Sequence, residues 1–115
     1  MSVILHVLFP WDEEESVVRA ASLAQAHELA RRDDFVWKII IRDPRTRMSG
    51  AVYLFADRHK AEAWRAELSA RRGPSVEARI FEVDEEASRL TRAPLDEGGT
   101  TKSLTIDRLN ASNDE

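Results

Sequence analysis

The apolar positions of this chain fall into short runs of two different periods. Residues 2–9, 35–42, 51–56 and 76–83 are rich in β-branched and aromatic side chains, which suit a pleated surface and predict strands. In the first run Val3, Leu5, Val7 and Phe9 point one way and Ile4, His6 and Leu8 the other. Pro10 closes the run, because proline cannot donate to a ladder. Residues 12–32 and 58–71 repeat their apolar positions at helical spacing instead. In the first of these, Val17, Val18, Ala21, Leu23, Ala24 and Leu29 supply the apolar face. Asp12 and Glu15 are spaced as a capping box, and Arg31-Arg32 close the last turn. In the second, Asp57 stands at the N-cap, Ala61, Trp64 and Leu68 form the buried stripe, and Gly73-Pro74 stop the helix. A short third helix is predicted from Glu85 to about Thr91, capped by Asp84 and limited by Pro94.

The second and third strands read as a hairpin. Asp43 and Pro44 carry turn chemistry, and Gly50 predicts a bulge or a close backbone approach. The hairpin is apolar on both faces. Phe35, Trp37, Ile39 and Ile41 share one face; Val36, Lys38, Ile40 and Arg42 share the other. A sheet with one wet face alternates more cleanly, so each side of this hairpin needs a cover. The order βαββαβ predicts an α+β, ferredoxin-like fold: a four-stranded antiparallel sheet with two helices on one face. The other face keeps Ile4, Leu8, Phe81 and Val83. Each large apolar side chain left wet forgoes roughly 1.5–3 kcal/mol of burial, so a homodimer covering that face is expected.

Composition adds limits. Residues 1–95 read as one domain, and 96–115, polar and without sustained periodicity, as a flexible C-terminal tail; alternatively Leu104, Ile106 and Leu109 dock on a neighbour. The formal net charge of −4 gives no basic footprint for nucleic acid. There is no cysteine, hence no disulfide or thiolate chemistry. No apolar run approaches the ~18 residues of a membrane span, and the apolar start lacks a basic leader, so a cytoplasmic location is expected. No spacing of His, Asp or Glu resembles a metal set, and no glycine-rich phosphate loop is present; no cofactor is expected.

Phe35-Val36-Trp37-Lys38, Tyr53-Leu54-Phe55 with Asp57, and Phe81-Glu82-Val83-Asp84, together with Leu5-His6, resemble the family of YdhR-type putative monooxygenases over about residues 2–95. Asp34 stands where that family often has glycine. The resemblance implies a dimeric α+β barrel, two ferredoxin-like sheets facing each other around a cavity, and cofactor-independent oxygenation of an aromatic or quinol-like small molecule. A binding or sensing dimer without chemistry, or an isomerase or decarboxylase on the same fold, remains open beside it.

Such a cavity would be mostly apolar with a few polar groups. His6 is the candidate base; Tyr53 and Arg79 are the candidates for binding a substrate oxygen. Each has a plainer alternative: an interface histidine, a packing tyrosine, an ion-paired arginine. Trp37, Lys38, Trp11, Phe55 and Phe81 are candidate substrate-binding walls. Trp37 and Lys38 alternate along one strand, so only one of them shares a face with His6, and the pattern leaves open which. His27 and His59 are assigned to solvent.

Overall fold

The computed structural model describes residues 1–96. The expected 96–115 tail, beyond Asp96, lies outside them. The elements run β1 (Val3–Pro10), α1 (Glu15–Leu29), β2 (Trp37–Asp43), β3 (Met48–Phe55), α2 (Arg58–Arg72), β4 (Glu77–Glu82) and α3 (Glu85–Leu90). A 3-10 turn, Gly73–Ser75, links α2 to β4. The four strands form one antiparallel sheet in the order β2-β3-β1-β4. This is the ferredoxin-like α+β arrangement expected from the element order. The backbone separates into two compact units, Met1–Val83 and a second that begins at Asp84. In the second, Asp84 caps α3 by accepting from the Ala87 amide at 3.1 Å, and Arg89 reaches Glu85 and Asp96.

The core of the first unit lies between the sheet and α1 and α2. Val3, Leu5 and Val7 of β1 and Ala51, Tyr53 and Phe55 of β3 meet Ala61, Trp64 and Leu68 of α2 there. The α2 stripe is the predicted one. Asp57 caps that helix, accepting from the Lys60 amide at 2.9 Å, and Gly73 leaves it at φ 81°, a backbone region that favours glycine. In the hairpin turn the Arg45 amide donates to Asp43 at 3.1 Å, as the Asp-Pro pair predicts. The register runs unbroken through Gly50, so there is no bulge there. The alternative holds: a Cβ at Gly50 would lie 1.9 Å from the Val7 carbonyl oxygen.

Three local expectations are corrected. First, α1 begins at Glu15 with Glu14 as N-cap, and no side chain caps it; the amides of Val17 and Val18 bond the Glu14 carbonyl, which leaves Asp12 outside the helix. Its end is Leu29, because Arg32 is drawn off to fork onto Asp34 at 2.8–2.9 Å and to stack 4.5 Å over Trp64. Second, Phe35 does not share a face with Trp37. It precedes β2 and packs edge-on against Tyr53, Phe55 and Trp64 at 5.5–6.3 Å, on the helix side. The strand parity therefore starts only at Trp37. Third, the apolar face assigned to α1 is largely wet: Val17 is 51% and Leu23 63% exposed, and only Val18 and Leu29 are buried.

Candidate functional site

The third correction opens the site. Residues 18, 22, 25 and 29 lie within about 60° of one another on a helix, so the inward stripe of α1 is Val18, Ser22, Gln25 and Leu29. Its two apolar members anchor the ends and its two polar members face the sheet in the middle. Beneath it, β2 sends up Lys38, Ile40 and Arg42. Lys38 Nζ donates to Gln25 Oε1 at 3.3 Å, and Arg42 Nη1 donates to Ser22 Oγ at 3.4 Å. The polar middle holds α1 off the sheet and leaves a cleft of about 410 Å³.

Strand pairing gives the floor. Lys38, Tyr53, Leu5 and Ile80 lie abreast across β2-β3-β1-β4, with Ile40, Ala51, Val7 and Ala78 in the next row. Lys38 Nζ sits 5.0 Å from the centroid of the Tyr53 ring. Arg72, at the end of α2, enters the same cleft with its guanidinium 4.0 Å over the Phe9 ring. Trp11, just past β1, lines the rim; its amide donates to the Arg47 carbonyl at 2.9 Å. Among the described residues the buried Trp11 Nε1 has no hydrogen-bond partner.

The surroundings tune both titratable groups on the floor. Burial, reinforced by the nearby Arg72 charge, lowers the Lys38 amine from 10.5 to about 8. Burial raises the Tyr53 phenol, while the Trp64 indole and the charges of Arg72, Arg71 and Arg32 oppose the rise. The Trp64 N–H is near enough to favour the phenolate but closes no full hydrogen bond, and its Nε1 stays unpartnered. The cleft thus holds an amine able to lose its proton near neutral pH, a phenol that keeps its own, and a permanent guanidinium charge. Such a set can accept a proton from a weak acid and then hold the resulting anion.

The second face of the sheet carries different residues. Trp37, Leu54, Ile4 and Phe81 form one row across it; Ile39, Val52, His6 and Arg79 form the next. His6, Leu8, Glu77, Arg79 and Phe81 line a depression of about 240 Å³. Trp37 therefore shares a face with His6, and Lys38 faces α1.

The predicted site residues are divided accordingly. Lys38, Tyr53 and Trp11 come together in the helix-side cleft. His6, Arg79, Phe81 and Trp37 lie on the second face. The expected grouping of His6, Tyr53 and Arg79 in one cavity is not formed within this chain, because strand alternation puts Tyr53 on the opposite side of the sheet from the other two. Phe55 is 0% exposed in the core and lines neither space. His27 and His59 are exposed, as assigned. Sequence reasoning missed Ser22, Gln25 and Arg72. The first two carried a signal, being polar residues at heptad spacing between Val18 and Leu29.

Among the described residues no group of His, Cys, Asp or Glu is arranged to hold a metal ion, and no helix is long and apolar enough to cross a membrane. A protein-family model described as "Putative mono-oxygenase ydhR" matches residues 4–94. A comparison with curated proteins finds no match.

Proposed function

The chain belongs to this ydhR mono-oxygenase family, and on that footing we propose that it oxygenates an electron-rich aromatic or quinol-like small molecule, without a cofactor, in the cleft between α1 and the sheet. The observation that carries the reading is Lys38 Nζ standing over Tyr53 beside Arg72 in one concave space. Free Lys38 amine takes the acidic proton of the bound phenol or enol. The ammonium so formed and Arg72 hold the anion, and protonated Tyr53 forms the aromatic floor. The anion supplies the electrons to O₂: the ring carbon conjugated with the phenolate, a CH₂ in the keto tautomer of the substrate, becomes C=O, one oxygen atom entering the product and the other leaving as water. Oxygen uptake with a panel of hydroxylated aromatic compounds tests this. Binding without oxygen consumption removes the oxygenase reading and leaves a binding module.

A second reading keeps His6 as base and Arg79 as oxygen-binding group, with Trp37 and Phe81 as walls. It needs a second copy of the chain to cover that face. Ile39 at 53% and Phe81 at 47% exposure favour such a homodimer, since Ile39 ends the His6–Arg79 row and Phe81 lies in the row beside it. His6→Ala separates the two readings. Oxygen uptake survives it if the chemistry lies in the helix-side cleft, and is lost if His6 is the base.

A further inference from the structure

We infer that Lys38 is also a carbonyl-capturing residue, forming an imine with keto acids whose carboxylate is held by Arg72. Three features of the cleft carry this. Lys38 Nζ is paired with the neutral oxygen of Gln25, and among the described residues no carboxylate is in ion-pair contact with it. No ion-pair contact therefore holds it as ammonium. The amine lines a half-open cleft of about 410 Å³, large enough for a small organic acid. Arg72 lines that space from the end of α2 and offers a planar fork for a carboxylate. A lysine that is desolvated beside another cation is the recognised arrangement for an amine nucleophile.

The step is balanced without any oxidant. The Nζ lone pair adds to the carbonyl carbon, both amine hydrogens leave with the carbonyl oxygen as water, and a C=N bond remains. The charged groups that line the cleft with Lys38 are Arg72 from α2 and Asp12 and Glu13 before α1; Arg42, further along its own strand, bonds Ser22, and Tyr53 beneath is neutral. At pH 7.5 an amine titrating near 8 is about a quarter unprotonated, against roughly 0.1% for an ordinary lysine. That is an advantage on the order of 100-fold in free amine.

The chain has only three lysines, Lys38, Lys60 and Lys102, so the reaction can be mapped. The native protein is incubated at pH 7.5, under nitrogen, with 4-phenyl-2-oxobutanoate and cyanoborohydride, which reduces the imine to a stable secondary amine. Peptide mass mapping then reads each site. The N-terminal amine labels as well and serves as internal reference. The expected result is labelling of Lys38 at least ~10-fold faster than Lys60 or Lys102, with the acid preferred over the uncharged 4-phenyl-2-butanone and that preference abolished in Arg72→Gln. Labelling of Lys38 no faster than the other two lysines overturns the proposal, as does equal reaction with acid and ketone in the wild type. Because oxygen is absent and mass is read, the outcome is independent of the oxygenase reading.

Discussion

Lys38→Met should change how stability depends on pH, and the sign follows from the cleft. In the unfolded chain this lysine titrates near its ordinary 10.5; in the fold it titrates at about 8. Between these values the unfolded state binds more protons than the folded one, so stability rises with pH across about 8 to 10.5. Below 8 both states are protonated and the fold bears the full cost of a charge that is partly desolvated and close to Arg72. A lowering from 10.5 to about 8 corresponds to about 3.4 kcal/mol for a group shielded from water. Lys38 is only half-buried, so solvent screening discounts this to roughly 1–2 kcal/mol. Methionine keeps the length of the side chain and removes the charge. Urea unfolding of both proteins at pH 6.5, 8 and 10 checks the point, because the other titrating groups cancel in the difference. The variant should gain roughly 1–2 kcal/mol relative to wild type at pH 6.5, and the gain should shrink toward pH 10. A difference that stays constant with pH would refute the electrostatic account of the cleft.

Other consequences are as direct. Gly50→Ala places a methyl group 1.9 Å from the Val7 carbonyl oxygen, and should cost about 3 kcal/mol or more by denaturant unfolding, since backbone rather than a side chain must move. Asp57→Ala removes the cap on the Lys60 amide and should cost about 1 kcal/mol in the same assay, with Asp57→Asn restoring most of it. If the second face carries the proposed homodimer, the wild type sediments as a dimer at micromolar concentration and Phe81→Glu as a monomer; a wild-type monomer, or a variant that stays dimeric, would refute that interface. Lys38→Met should abolish oxygen uptake with hydroxylated aromatic compounds while His6→Ala leaves it intact.

How far the sequence could be read differed from strand to helix. A strand has a period of two, so once β1 was placed, the inward set Val3, Leu5, Val7 and the outward set Ile4, His6, Leu8 followed. The α2 stripe was equally plain, because its inward residues are all apolar. Failure came where polar residues point inward. Val17, Leu23 and Ala24 of α1 lie roughly 100° or more from the true inward stripe, but their hydrophobicity outweighed the polar Ser22 and Gln25 in the pattern. The same substitution of polar for apolar residues that disguised the helix face is what holds the cleft open. The Trp37–Lys38 ambiguity could not be resolved along one strand. It depends on pairing with β3, and the bend that turns Phe35 into the core resets the parity just before β2. Arg72 carried no sequence signal, since a basic residue in the last turn of a helix already has a sufficient explanation there.

That Val18 and Leu29 are the two buried side chains of α1 has a consequence for how this fold can diversify. Besides the polar middle, the height of the cleft depends on two side chains that belong neither to its floor nor to the aromatic cluster of Phe35, Tyr53, Phe55 and Trp64. A bulkier or smaller residue at either anchor should tilt the roof about the other, while the sheet and its hairpin register stay as they are. The size of molecule that the cleft admits would then be set by single substitutions at the helix ends, separately from the charges of Lys38 and Arg72.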